Sequence, residues 1–297
     1  MKKYIGFIGL GIMGKPMAKN LVKGGYSLIV FDVVDKAMEE MAVMGIAVGK
    51  SPKDVTEKSD IVFTVLPNSP EVKTVVLGKD GIIEGAHKDT ILVDMSSIDP
   101  MVSIEIAKVL EARSVNMLDE PVSGGEQKAI DGSLAIMVGG LETVFTKVEP
   151  LLKVMGGSVT LVGKIGSGNI AKLANQIMVA ANIAGMSEAM VLATKAGVDP
   201  EKVFKAVRVG LAGSTVLDSK MPMILDGNFN PGFRIELHVK DLKNVLDAGH
   251  ALGTPLFLSS MIHEMMEVLI ADGKSKNDHG GLIQFYEDIA KIQVRRK

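Results

Sequence analysis

Short apolar runs, each closed by glycine, proline or a polar cluster, recur through the first 160 or so residues, and stretches with helical spacing lie between them. The runs Ile5–Ile8, Ser27–Phe31, Ile61–Leu66, Thr90–Asp94, Asn116–Asp119, Ser133–Val138 and Ser158–Val162 predict strands. After the first run, Met17, Leu21 and Val22 are apolar and Lys15, Lys19 and Lys23 polar, which predicts a helix that Gly24-Gly25 stops. Further helices are predicted over Lys36–Met44, Pro100–Glu111 and Leu141–Val154, with a turn or two over Glu71–Val76 after the stop Pro67-Asn68-Ser69-Pro70. Strand alternating with helix predicts an α/β, doubly wound, mostly parallel sheet. Ligands of such sheets bind at the carboxyl ends of the strands, where the loops Pro67-Asn68, Ser96-Ser97 and Ser123-Gly124-Gly125 fall.

The pattern changes at Gly163-Lys164-Ile165-Gly166-Ser167-Gly168. Beyond it no strand is predicted. Asn169–Lys195 reads as one long helix, apolar around most of its circumference through Leu173, Ile177, Met178, Val179, Ile183, Met186, Met190 and Val191, and therefore buried on most sides. Asp199-Pro200-Glu201 carries the start signals of the next helix. Arg234–Ala251 and Leu258–Ala271 are further helices, and Phe285–Val294 closes the chain. The expected organisation is a sheet domain over residues 1–163 and an all-α domain over 164–297.

Composition narrows the function classes. The 297 residues are 47% hydrophobic and 23% charged, with a net charge of -2, an ordinary composition long enough for about two domains. No basic block points to nucleic acid, and Arg295-Arg296-Lys297 reads as a solvated terminus. The absence of cysteine excludes disulfides, thiolate nucleophiles and cysteine-based zinc sites. Lys2-Lys3 before an apolar stretch mimics a signal peptide, but cleavage would remove the glycines discussed next. The uncharged tract Leu173–Ser187 contains Asn175, Gln176 and Asn182 and falls short of the roughly 20 apolar residues of a membrane span. A cytoplasmic protein with no membrane or nucleic-acid partner is expected.

Gly9, Gly11 and Gly14 stand in G-x-G-x-x-G spacing between the first strand and the first helix. Gly9 allows the tight turn out of the strand, Gly11 lets a pyrophosphate approach the backbone, and Gly14 lets the helix pack close to the sheet. The helix start offers free N–H groups to the phosphates. Asp32 ends the second strand 18 residues after Gly14, where a carboxylate can accept hydrogen bonds from the adenosine ribose. Strand, loop, helix, second strand and acid together read as a Rossmann dinucleotide site, with Gly9, Leu10, Gly11, Ile12, Met13 and Gly14 as the cofactor loop and Asp32 favouring NADH over NADPH.

Other residues carry weaker signals. Ser123-Gly124-Gly125 offers a hydroxyl and two unobstructed N–H groups, a seat for a carboxylate; it reads equally as a flexible turn. Lys172, Asn175 and Gln176 share one helix face at i, i+3 and i+4. They are either a polar network at a domain junction or a cationic acid with an amide beside it, since a protonated lysine can give its proton to a carbonyl oxygen as hydride reaches the carbon. Lys240-Asp241 follows Arg234 and His238, in a position where charges usually face solvent. His87, His250 and His263 have no partner at metal spacing, and nothing in the sequence places Asp278-His279 at a cleft.

In combination these segments resemble the β-hydroxyacid dehydrogenase family. G-x-G-x-M-G-x-x-M-A-x-N-L at Gly9–Leu21, D-x-P-V-S-G-G at Asp119–Gly125, G-x-G-x-x-x-K-L at Gly166–Leu173 and K-D-L at Lys240–Leu242 follow the family's motif order over the whole chain. Ser123–Gly132, Lys172–Gln176 and Gly210–Asp218 resemble its branch that reduces tartronate semialdehyde to glycerate; the branch acting on 3-hydroxyisobutyrate is the near alternative. The resemblance implies a nicotinamide cofactor, with Lys172 catalytic and Asn175 holding the substrate; Gln176, on the same helix face, is placed to hydrogen-bond a substrate hydroxyl beside Asn175. It also implies Ser123, Gly124 and Gly125 on the substrate carboxylate, and Leu66, Pro67 and Ser97 on the cofactor. Lys240 and Phe233 would reach the cofactor, and Asp241 the substrate. Gln176 stands where the family often has Asn, Ser97 where it often has Thr, and Glu120 where a small residue is more usual. Helical domains of the family commonly pair, and the 19 methionines fit a buried interface of a homodimer or homotetramer. A dinucleotide-binding module without catalysis is the alternative from another class; Lys172 together with the Ser-Gly-Gly loop argues against it.

Overall fold

The computed structural model describes residues 4–296. Strand β1 (Tyr4–Ile8) is central, with β2 (Leu28–Phe31) on one side and β4 (Ser59–Thr64) on the other, both parallel to it. Beyond β2 lies the two-residue β3 (Ala47–Val48); beyond β4 come β5 (Ile91–Asp94) and β6 (Asn116–Asp119), all parallel. β8 (Leu134–Gly139) then runs antiparallel to both β6 and the short β7 (Val122–Ser123), and β9 (Gly156–Gly163) pairs parallel to β8. The chain reverses direction across the sheet at β1, the switch point of a doubly wound fold.

The central strands are buried on both faces, which explains their unbroken apolar runs. Phe7, Val30, Phe63, Val93 and Leu118 face one core, with Met17, Leu21 and Leu152. Their neighbours Ile8, Ile29, Val62, Leu92 and Met117 face the other, with Ile106 and Leu110. The period of two along each strand sorts them, and the register pairs Phe7 with Phe63, whose rings stack at 6.0 Å.

Helices α1 (Gly14–Lys23), α2 (Asp35–Val43), α6 (Pro100–Glu111) and α8 (Glu142–Met155) lie close to their expected positions. Other segments differ. β4 begins and ends two residues before the run Ile61–Leu66, because pairing of Tyr4 with Ser59 and Ile8 with Thr64 fixes its register. The stop Pro67-Asn68-Ser69-Pro70 follows β4 as expected, and its last two residues open α4 (Ser69–Leu77), longer than the turn or two expected over Glu71–Val76. The sequence reading passes over β3, β7, α3 (Pro52–Glu57), α5 (Ile82–Gly85), α7 (Gly125–Asp131) and α11 (Thr215–Leu225). Most are too short to show a period. α11 carries an internal Pro222, although Ser214 caps it by accepting the Leu217 N–H at 3.0 Å.

The chain divides into two compact units, one through Lys172 and one from Leu173. The division falls inside α9 (Ser167–Lys195). The second unit continues through α10 (Pro200–Val207), α11, α12 (Ile235–Leu252), α13 (Phe257–Ala271), a 3₁₀ turn (His279–Leu282) and α14 (Ile283–Ala290). Helix α14 ends short of the expected Val294, because Lys291 turns left-handed at φ 53°. The unit's core gathers Ile183, Met186 and Met190 with Phe204, Met221, Leu242, Ile262, Met266 and Ile283. α9 is long and apolar enough to cross a membrane; that inner face is packed in the core, and Asn182 and Glu188 lie on its exposed side.

Candidate active site

The glycine loop follows β1. Gly9 has φ 96°, and a Cβ there would lie 2.2 Å from the Val65 carbonyl oxygen; one on Gly14 would lie 2.0 Å from the Gly9 carbonyl oxygen. Both positions therefore require glycine. Gly11 is different: nothing stands within 4 Å of where its Cβ would be. Helix α1 opens at this loop with no side-chain cap and no acidic residue in its first turn. Open space beside uncapped N–H groups suits a pyrophosphate. Leu10 is buried, Met13 half-buried and Ile12 exposed. Asp32 accepts the Leu10 N–H at 2.6 Å and the Val34 N–H at 2.8 Å, so it ties the loop to the end of β2.

A second wall of the sheet unit is tied by Asp94, the last residue of β5. Its Oδ1 accepts from the Thr64 hydroxyl at 2.8 Å and from the Ser96 hydroxyl at 2.6 Å and N–H at 3.2 Å. Ser96 Oγ in turn accepts the Leu66 N–H at 2.9 Å. The segments holding Leu66-Pro67 and Ser97 are thus joined through one carboxylate. Burial pushes Asp94 up to about 6 despite these bonds.

Asp119, beside Asp94 in register, ends β6. Its two oxygens accept the N–H groups of Gly166 and Asn169, each at 2.7 Å. Asn169 accepts the Ile98 N–H at 3.1 Å and donates to Ser103 Oγ at 3.1 Å. Lys172 stands one helical turn beyond Asn169 and is 7% exposed. Burial raises Asp119 to about 7, opposed by the two N–H bonds and reinforced by the Asp94 charge. Glu120 is fully buried with no hydrogen-bond partner on either oxygen. Desolvation, then the Asp119 charge, hold it well above the usual carboxylate range. Next along, Ser123 ends β7, and Gly124 and Gly125 enter α7 with φ 143° and 75°. Two successive positive-φ glycines follow the serine, with the Lys128 side chain packed beside Gly124.

In the helical unit, Asn175 Nδ2 donates to Gln176 Oε1 at 2.8 Å, and Gln176 Nε2 donates to Asp241 Oδ2 at 2.6 Å. Lys240 pairs with Asp241 Oδ1 at 2.8 Å. Asp241 is 3% exposed, so it is not the solvent-facing charge that its helix position suggested. The Phe233 ring meets His238 and His279 edge-on, with centroids at 5.9 and 5.2 Å. Those imidazoles share a contact, Nδ1 to Nδ1, at 2.8 Å. Asp278 is fully buried; it accepts the Gly232, Phe233 and Gly280 N–H groups and pairs with Lys220.

Comparison with known proteins decides the family. Residues 4–163 match the NAD-binding domain of 6-phosphogluconate dehydrogenase, and residues 166–286 match the NAD-binding family of NADP-dependent 3-hydroxyisobutyrate dehydrogenase. The chain is 42% identical to the 2-hydroxy-3-oxopropionate reductase of Escherichia coli K12 over 98% of its own length and 99% of the reductase. The chain belongs to the β-hydroxyacid dehydrogenase family. This dehydrogenase is also 38% identical to rat mitochondrial 3-hydroxyisobutyrate dehydrogenase, over 97% of this chain and 88% of the rat protein. A Mycobacterium tuberculosis 3-hydroxyisobutyrate dehydrogenase solved with L-serine superposes with a TM-score of 0.89 at 30% identity, covering 96% of this chain and 99% of the other.

Sequence reading missed the roles of Asp94, Ser96 and Asp278. The first had a visible signal: an acid closing an apolar strand inside a doubly wound sheet must find partners. The bonds of Asp278 to a loop 45 residues away left no local trace.

Proposed function

We propose that this dehydrogenase reduces tartronate semialdehyde (2-hydroxy-3-oxopropanoate) to glycerate, with NADH as the hydride source. The observation that carries this reading is the polar sequence Lys172, Asn175, Gln176 on one helix, continued by Asp241: Lys172, Gln176 and Asp241 are buried and Asn175 half-buried, at the spacing for a proton donor with hydroxyl-binding groups a turn away. The high identity to the E. coli reductase over the full chain supports it.

In this reading the glycine loop from Gly9 through Leu10, Gly11, Ile12 and Met13 to Gly14 holds the pyrophosphate, and Asp32 holds the ribose. Leu66, Pro67 and Ser97 carry the rest of the dinucleotide, with Phe233 and Lys240 contributed by the helical unit. Ser123, Gly124 and Gly125 hold the substrate carboxylate. The reduced nicotinamide, when bound, supplies the hydride. As the aldehyde carbon accepts it, the Lys172 ammonium gives a proton to the carbonyl oxygen, leaving a neutral amine and the new alcohol. Asn175 and Gln176 bind the hydroxyl next to the carboxylate, and Asp241 fixes Gln176.

The likeness to 3-hydroxyisobutyrate dehydrogenases favours a second reading, the same chemistry on methylmalonate semialdehyde. Assay of the two aldehydes with NADH separates the readings. The exposed Met178 and Leu192 of α9 and Phe257 and Met261 of α13 fit contact with a second copy of the chain, and light scattering on the purified protein should give a dimer or tetramer.

A further inference from the structure

We propose that Asp119 is a positioning residue for Lys172, and that it titrates as one coupled pair with Asp94, so that proton occupancy of this pair governs how firmly the lysine-bearing helix is seated. The proposal rests on Lys172 being the proton donor.

Helix α9 has no acidic residue in its own first turn. Asp119 supplies one from the sheet, 47 and 50 residues away, with one oxygen on the Gly166 N–H and the other on the Asn169 N–H. The seat is shaped for it. A Cβ on Gly139 would lie 2.2 Å from Asp119 Oδ1, and one on Gly168 would lie 2.2 Å from the Asp119 carbonyl oxygen. The next turn of the helix carries Lys172. A carboxylate accepts both N–H groups and complements the helix N-terminus. A protonated carboxyl has less acceptor capacity and no charge, so both bonds and the complement to the helix N-terminus weaken.

Asp94 is the partner of Asp119 across the β5–β6 ladder. Its Oδ1 takes three donors, whereas its buried Oδ2 has none. Glu120, the residue after Asp119, is buried with both oxygens unbonded. Three desolvated carboxyls at adjoining positions cannot all ionise near neutrality, and adjacent members release protons in steps that belong to the group. The surroundings hold little to offset this. β8 contributes no titratable residue, and Lys164, in the turn before α9, is exposed. On the packed helices, Glu105, Lys108 and Glu111 of α6 and Glu142, Lys147 and Lys153 of α8 are exposed, and Glu149 is half-exposed. Lys172 is the buried cation of this region among the described residues.

The test uses the full-length enzyme with saturating NADH and the aldehyde it turns over, measuring kcat from pH 5 to 9. Wild type should lose kcat as pH falls through neutrality. Asp94→Asn keeps an Oδ1 for its three donors and removes one ionisable member, so the acid limb should move to lower pH by half a unit or more. Asp119→Asn places an amide NH₂ against a backbone N–H; kcat should fall at least tenfold, with NADH affinity by fluorescence within threefold of wild type. An Asp94→Asn profile that superposes on wild type overturns the proposal, as does an Asp119→Asn enzyme within threefold of wild-type kcat. If Asp119→Asn does not fold, the Asp94→Asn profile decides alone. Lys172→Ala separates the underlying reading: a folded, active Lys172→Ala enzyme removes the donor, whereas an inactive one beside an unaffected Asp119→Asn removes only the positioning role.

Discussion

Gln176 donates its Nε2–H to Asp241 Oδ2 at 2.6 Å, joining α9 to α12 through two side chains that are each under 5% exposed. Asp241 keeps Lys240 on its other oxygen, and Gln176 receives Asn175 on its own. The amide at position 176 is therefore used at both ends. Gln176→Glu would set a second carboxylate against Asp241, and an uncompensated buried charge costs about 3–5 kcal/mol. The variant should melt well below wild type at pH 8 and recover much of the difference at pH 5, where the new pair can share a proton. An equal deficit at both pH values would mean that packing, not charge, makes position 176 sensitive.

Lys172→Ala tests the chemistry directly. A positioned general acid contributes about 10²- to 10⁴-fold, so kcat should fall by that range while NADH binding and the thermal midpoint survive. A folded variant within threefold of wild-type kcat would remove Lys172 from the role. In the oxidative direction the lysine must accept a proton, so alcohol oxidation should rise toward alkaline pH.

Stability should respond to pH in the opposite sense from the turnover argued above. Asp94 and Asp119 are raised from 3.8 to about 6 and about 7, and Glu120 well above 4.5, chiefly by burial. The folded chain then holds protons that the unfolded chain has released above about pH 4, so stability is highest at acid pH and falls as pH rises through 6 and 7. Above pH 5.5 most of the remaining loss comes from Asp119, whose titration about 1.5 units higher corresponds to roughly 2 kcal/mol. The thermal midpoint should be higher at pH 5.5 than at pH 8.5, by on the order of 5 °C. Glu120→Gln imitates the protonated side chain and cannot ionise. It should match wild type at pH 5.5 and exceed it at pH 9; a midpoint lowered equally at both would show that Glu120 is not held neutral.

Much of this was legible in the sequence because the signals were local. Phe7/Ile8, Phe63/Val62 and Val93/Leu92 lie in apolar runs that only a strand buried on both faces needs, and Pro100 marks the start of α6 from the first turn. What escaped was set at a distance. The register of β4 depends on β1, and the burial of Asp241 depends on Gln176, 65 residues away. α7 escaped because Gly124-Gly125 reads as a turn, and the positive φ that favours glycine there is also what admits the chain into a helix. The buried carboxyl of Glu120 was visible as a departure from the family pattern, but its lack of any partner was not.

The proposed preference for NADH rests on Asp32. Its oxygens already hold the Leu10 and Val34 N–H groups, which fixes the carboxylate at the end of β2. The following Val33 and Val34 are exposed and offer no positive charge to a 2′-phosphate. Like-charge contact costs a few kcal/mol, so kcat/KM should favour NADH over NADPH by at least about tenfold. Equal efficiency with the two would exclude Asp32 from ribose recognition. Asp32→Ser should narrow the ratio through the NADPH term; a loss shared equally by both cofactors would mean that the loop tie to Leu10 is what the residue supplies.

The substrate prediction turns on one functional group. Tartronate semialdehyde carries a hydroxyl on the carbon beside its carboxylate; methylmalonate semialdehyde carries a methyl there. Asn175, Gln176 and Asp241 form a chain of polar side chains one turn from Lys172, and a methyl placed against it leaves hydrogen-bonding groups without partners. A site built to pair a hydroxyl can reject the analogue that lacks it by about 10⁴-fold. The expected discrimination is smaller, because a water in place of the missing hydroxyl can pair with those groups. Under identical NADH conditions, kcat/KM should favour tartronate semialdehyde by at least about tenfold, with glycerate as product. Asn175→Ala should erase most of that preference by lowering the value for tartronate semialdehyde while leaving the methyl compound nearly unchanged. If instead the wild-type enzyme prefers the methyl compound, the hydroxyl-binding role of Asn175 and Gln176 is wrong, and the enzyme's chemistry belongs with the 3-hydroxyisobutyrate branch.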